Sequence, residues 1–305
     1  AVFQNRLCCL NVELVMCQWM GWFAVFRLFF AGKDDPLLLQ NGPYRPFTVS
    51  HISAMLLLFI LIYIAVAHVK YKEYRLRFLW SVWAYVFLVF LNVCRFVWDV
   101  YTGIFDIKED LPLQLCGIQM FAIPLALFLQ RKEDKMPGHF DVSGAAEASK
   151  WVWKIGEYIC EFVYAYGTVG AILALIIPLP TLQQYPVFHF RSFQSLLYHA
   201  VMGFIAFMLP YLNYRPDIGN VKKAYCVLMI CALFTGMVNM LIGSNYLYTA
   251  YLPIKFDLLP WPKYLPFLFA FALFVGRLPY YAYAFFHRTH SESVMDMLHQ
   301  GRSGF

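Results

Sequence analysis

Seven stretches of the chain, at about 49–68, 79–101, 111–129, 155–178, 190–213, 222–243 and 263–285, each stay apolar for close to twenty residues. A hydrocarbon core of roughly 30 Å is crossed by about 20 helical residues, and backbone in lipid must satisfy its own hydrogen bonds, so stretches of this length predict membrane-spanning helices. The expected fold is an all-α, polytopic transmembrane helix bundle with a seven-helix core. With 61% hydrophobic and 14% charged residues in 305, a large soluble domain is excluded. A further run at 8–30 is long enough to span and rich in Trp, Phe and Leu, but it carries Glu13 and Arg27. It reads as an eighth span, an interfacial amphipathic helix being the alternative. The domain expectation is an N-terminal extension over 1–46, the core over 47–285 and a basic tail over 286–305.

The connections alternate in charge. Segments 68–78, 130–154, 214–223 and the tail hold fourteen Lys and Arg, whereas the intervening connections hold six. Cationic loops collect on the cytoplasmic or matrix side, which accounts for the net charge of +6 without a nucleic-acid partner. The starts of the 111–129 and 190–213 runs and the end of 222–243 then share the opposite face. Leu111–Cys116, His189, Arg191 and Asn245 are expected there together with His51 and Asp99.

Polar residues are set into the spans at helical spacing. In Phe188–Tyr211, residues Arg191, Ser195, His199 and Gly203 recur every four positions and drift slowly around a helix, so one small, polar stripe must face protein or water. Asn92, Arg95 and Asp99 share a face of the second run; Thr235, Asn239 and Gly243 share one of the sixth. An Arg at a helix centre costs about 2.5–3.5 kcal/mol to insert, which predicts a partner for Arg95, with Asp99 the nearest candidate. Glu161 and Arg277 are placed to pair between helices. For each pair a packing latch is the plain reading, and an ion or substrate path the sharper one.

Eight cysteines show no CxxC or Cys/His metal spacing, and most read as small buried hydrophobes. No phosphate loop, nucleotide fingerprint or zinc signature occurs, so no metal or other cofactor is expected. His199 is a candidate base because ionisable groups inside a membrane are functional candidates. Cys116, at the start of the third run, is a candidate thiol nucleophile if a base lies in reach.

The segments SHISAMLLL, EDLPLQLCGIQMFAIPLAL, YGTVGAILALIIP, FHFRSFQSLLYHAV, NMLIGSNYLYTAYLP and DLLPWPKYLP, taken in order, resemble the YwaF-like integral membrane proteins over about residues 47–285. That family takes in the animal transmembrane protein 164, a membrane acyltransferase that moves polyunsaturated acyl chains onto ether lysophospholipids. The resemblance implies a catalytic pair, a Cys in an Asn-Pro-Cys-His stretch and a His in a later helix. Matching its Pro to Pro112 puts Leu113 at the Cys position and Gln114 at the following His, while the later His is His199. Cys116 fits the bacterial pattern LPLxLC, in which His is preferred where Gln114 stands. On a continuous helix Cys116 would lie about 300° around from Leu113 and about 4.5 Å along the axis.

These readings converge on a face lined by His51, Gln114, Cys116, His189, Arg191, His199 and Asn245. There a phospholipid head group would meet Arg191 and a helix N-terminus. Three functions follow. The first is a lipid-binding scaffold or accessory subunit of a larger membrane complex, its acyl-transfer nucleophile lost. The second is an active phospholipid acyltransferase using Cys116 and His199. The third is a small-molecule permease using the buried polar Arg95, Asn92 and Asn239, with Asp99 beside them.

Overall fold

The computed structural model describes residues 25–32, 35, 36, 38, 45–130, 147–177, 185–252 and 261–302, with side chains for all of these except 147–150 and 287–302. The helices are α1 (Val49–Val69), α2 (Tyr74–Tyr101), α3 (Leu115–Leu129), α4 (Glu147–Phe162), α5 (Thr168–Ile176), α6 (Phe190–Met208), α7 (Val221–Ile242) and α8 (Leu265–Arg302). Among the described residues no strand occurs. Six spans are long and apolar enough to cross a membrane, α4 and α5 forming one of them; α3 is shorter. The expected eighth span lies outside the described residues except for its end, where residues 25–29 are helical. Most of the 1–46 extension likewise lies outside them.

Burial separates two central spans from a lipid-facing ring. In α6, 72% of the apolar window is buried inside the protein, and in the α4–α5 span 67%; in α1 the share is 11%. The exposed side chains of α1, among them Leu56, Leu57, Ile60, Leu61 and Ile64, suit lipid contact. The central helices are held by side chains that bond backbone carbonyls of their neighbours. Gln194 donates to Leu91 O of α2 at 3.1 Å, Tyr198 to Cys116 O of α3 at 2.9 Å, and His51 on α1 meets Leu175 O of α5 at 2.9 Å. In a low-dielectric core each such bond avoids an unpaired polar group.

Two elements differ from the expected runs. The fourth run is not one uniform α-helix, because Val163–Gly167 forms a π turn whose five residues are all buried. A π turn accommodates an extra residue, and two of its side chains bond α8: Tyr164 Oη donates to Pro279 O at 3.0 Å and Tyr166 Oη to Ala272 O at 3.2 Å. Close approach is possible because residue 276 is glycine; a Cβ there would stand 2.9 Å from Tyr166 Oη. The third run begins its helix at Leu115 rather than 111. Pro112 contributes no backbone donor, Leu113 N turns back to Leu111 O at 2.7 Å, and Gln114 is extended at the N-cap. Also, α8 continues as helix to Arg302, through most of the segment expected as a basic tail.

Candidate functional site

The late start of α3 sets the geometry around Cys116. Leu113 precedes the helix, so the 300° offset expected between these two residues does not apply; Cys116 occupies the second helical position and Gln114 the N-cap. The turn folds back so closely that a Cβ on residue 117 would lie 2.6–2.8 Å from backbone atoms of Pro112. Gly117 therefore permits the approach that brings the loop carrying Asp110 and Pro112 onto the first turn of α3.

Four charges meet beside this turn. Arg95 on α2 donates through Nη1 to Asp110 Oδ1 and through Nη2 to Asp110 O, both at 3.1 Å, while its contact with Asp99 is longer, at 3.9 Å. The expected Arg95–Asp99 pairing is thus secondary, and Asp110 is the closer partner. Asp99, fully buried, is instead held by Arg191 of α6, which also lies 3.6 Å from Asp110. Arg191 was expected to stand ready for a lipid phosphate, but its guanidinium is already engaged by a carboxylate. Two guanidiniums and two carboxylates balance in formal charge, so a phosphate entering here would have to compete with an aspartate.

His199 lies two turns along α6 from Arg191. Its Nδ1 is 2.7 Å from Ser195 O and 3.5 Å from Ser195 Oγ. A carbonyl oxygen only accepts, so Nδ1 carries a proton, and in the neutral ring the lone pair then lies on Nε2. That tautomer suits a proton acceptor.

These groups surround a cavity of about 110 Å³ lined by Asn92, Arg95, Asp110, Pro112, Gln114, Cys116, Arg191, Gln194, Ser195, Tyr198 and His199, among others. Of the residues singled out from sequence, Asn92, Arg95, Gln114, Cys116, Arg191, Ser195 and His199 come together here, with Asp99 directly behind. The others do not. His51 is fully buried between Phe47 N, 2.9 Å from its Nδ1, and Leu175 O. His189 caps α6 through Arg191 N, bonds Ala31 O at 2.9 Å and stacks on Tyr185, tying down the segment before α1. Asn245 closes a turn, accepting from Ala250 N and Tyr251 N and donating to Tyr251 O. Asn239 holds the same connection from α7, donating to Tyr246 O and to Thr249 Oγ1. All four are structural latches in this arrangement, and the expected single polar face divides into a cavity and a set of ties. The expected Glu161–Arg277 pair is also replaced, because Glu161 accepts from the hydroxyls of Tyr214 and Tyr280.

Sequence reasoning missed Asp110, Gln194 and Tyr246. Asp110 carried a usable signal, an acidic residue two positions before Pro112 in the connection that follows the span containing Arg95. Gln194 lies one residue off the four-residue stripe and gave none.

A family model described as the TMEM164 family matches residues 46–281, more than three quarters of the chain. The chain belongs to the TMEM164 family. This is the YwaF-like group to which the motifs pointed, and the matched span covers α1 to the middle of α8 and every residue lining the cavity. No curated protein and no solved structure matches the chain. Membership in the TMEM164 family and the six membrane-length helices make this an integral membrane protein.

Proposed function

We propose that this TMEM164-family protein handles membrane lipid at the cavity and that its chemistry there is acyl transfer through Cys116. The observation that carries this reading is that Cys116 and His199, far apart in sequence, line one cavity, with His199 in the tautomer that presents a lone pair. The thiol gives its proton to His199 Nε2 and its sulfur attacks the carbonyl carbon of a lipid ester. The ester C–O bond breaks, and the departing alkoxide takes the proton back from the imidazolium. In the second half the hydroxyl of a lysolipid loses its proton to His199 and attacks the thioester carbon, and the leaving thiolate is reprotonated. Lipid tails would lie along apolar side chains outside the cavity, as on the exposed Phe121, Leu125 and Phe128 of α3. The excess of Lys and Arg in alternate connections supports an orientation with the cavity away from the cytoplasmic or matrix side.

The test is the covalent intermediate. Purified protein in nanodiscs containing phosphatidylcholine with an isotopically labelled polyunsaturated chain is expected to yield a hydroxylamine-sensitive acyl adduct on the Cys116 peptide. Cys116→Ser should abolish it and His199→Ala should lower its rate by about 10²-fold or more. No adduct on wild-type Cys116 under turnover conditions would overturn the reading.

A second reading is a lipid-binding scaffold or accessory subunit of a larger membrane complex. It is favoured by Leu113 at the family's nucleophile position and by the engagement of both arginines with aspartates. It predicts bound lipid and a co-purifying partner without an adduct.

A further inference from the structure

The cavity mouth is also held from outside its wall, by the connection that follows α7. After α7 the chain makes a short 3-10 turn, Tyr246–Tyr248, in which Leu247 and Tyr248 both have positive φ, 54° and 55°. Neither is glycine, and two consecutive left-handed residues persist only when their surroundings over-determine them. The surroundings do so here. Asn239 accepts from Tyr246 N at 2.8 Å and donates to Tyr246 O at 2.9 Å, Ser244 Oγ donates to Asn239 Oδ1 at 2.7 Å, and Tyr264 Oη donates to Tyr248 O at 2.8 Å.

What this held turn presents to the site is the Tyr246 hydroxyl. The side chain is fully buried; its Oη donates to Ile107 O at 2.6 Å and accepts from Leu111 N at 3.0 Å. Those two backbone groups bracket Asp110, the partner of Arg95, and Leu111 leads directly into Pro112 and the start of α3. Next door, Leu247 N donates to Gln114 Oε1 at 3.1 Å, fastening the N-cap of the helix that carries Cys116. Burial holds the Tyr246 phenol above its ordinary pKa, so it stays a donor across the physiological range.

We infer that Tyr246 is a positioning residue for the cavity, its hydroxyl joining the strained turn after α7 to the 107–111 loop and thereby fixing Asp110 and the entry to Cys116. The inference rests on the cavity being the site of lipid chemistry, yet its local consequence is measurable without that chemistry. Tyr246→Phe keeps the ring and removes both hydroxyl bonds. Measured in detergent micelles by hydrogen exchange and by the alkylation rate of the Cys116 peptide with N-ethylmaleimide, this variant should open the 107–114 segment about tenfold or more often, with Cys116 labelling accelerated to match. Exchange in α1 should not change. Tyr280→Phe, which removes an equally buried hydroxyl at the other end of the bundle, should leave Cys116 labelling as in wild type. Where wild type forms the acyl adduct, kcat should fall in Tyr246→Phe with KM little altered, because the hydroxyl touches the loop and not the lipid.

Unchanged exchange and labelling in a folded Tyr246→Phe variant would overturn the inference, as would a loss of protection spread equally through α1. Should Tyr246→Phe not fold, Gln114→Ala removes the Leu247 tie together with part of the cavity lining, so its readout is hydrogen exchange over 107–111 rather than Cys116 labelling, and unchanged exchange there would overturn the inference. Absence of the wild-type adduct together with the local opening would sink acyl transfer and leave the positioning role standing.

Discussion

α6 carries a polar cluster at each end, and the two are built on different principles. At the cavity end Arg191 begins the helix and joins Asp99, Arg95 and Asp110 in a network of matched charges beside an open cavity. About 26 Å further along the helix axis, just past its end, Tyr214 meets a carboxylate that has no ion pair among the described residues. Glu161 there is bonded by the phenols of Tyr214 and Tyr280, and the Tyr164 ring packs on both at centroid separations of 5.3 and 5.2 Å. The cavity end depends on charge balance, so removing any one member leaves another uncompensated. The other end depends on hydrogen-bond count, so a neutral acceptor of the same shape can replace the acid.

The largest effect that separates these designs is expected at Asp99. Asp99→Ala leaves two guanidiniums sharing Asp110, and breaking a buried pair in this way typically costs about 3–5 kcal/mol. Thermal unfolding in detergent micelles should show a large drop for the single variant. Asp99→Leu combined with Arg191→Met should recover most of it, since the orphaned charge leaves with its partner. A mild single variant, or a double variant as unstable as the single, would break the account of the cavity end as a charge-balanced network.

A smaller effect is expected at Gly117. Gly117→Ala drives a Cβ into Pro112 backbone atoms, and backbone cannot yield as a flexible side chain does. Overpacking of this kind costs about 1–3 kcal/mol. It should also displace Cys116 from the cavity, so that the acyl adduct falls further than the loss of stability explains. A variant with wild-type unfolding and wild-type labelling of Cys116 would show that the turn has room that the geometry denies it.

The long apolar runs made six spans legible in sequence through length and hydropathy, whereas the 111–129 run, equally apolar, is helical only from Leu115 and falls short of that length. His199 and Arg191 were legible as inward-facing because a four-residue polar interval on an apolar helix permits no other placement. What periodicity could not supply was the direction of each ion pair. Arg95 has Asp99 one helical turn away, yet its closer partner is Asp110, which a loop delivers and no helical spacing announces. The π turn at Val163–Gly167 was equally hidden, since its residues are as apolar as any α-helical stretch and the widening follows from packing against α8. His51, His189 and Asn245 looked like lining residues because polar side chains near one membrane face resemble one another in sequence. Only their hydrogen-bond partners distinguish a latch from a wall.

The smallest effect tests the other end of α6. Glu161→Gln keeps an oxygen able to accept from both Tyr214 and Tyr280, so the two phenols stay satisfied and stability should change by less than about 1 kcal/mol. Glu161→Leu removes the acceptor and leaves two buried hydroxyls without a partner, at about 1–3 kcal/mol each before any rearrangement. The ratio of the two variants is the informative quantity. Were Glu161 held as a charge, Gln and Leu would be similarly damaging and the Gln variant would resemble Asp99→Ala. A Gln variant close to wild type, beside a Leu variant that unfolds well below it, is the outcome expected of a carboxyl group whose role is to accept hydrogen bonds. That result would keep the two ends of α6 distinct, one organised by charge around a cavity and the other by phenols around a single oxygen.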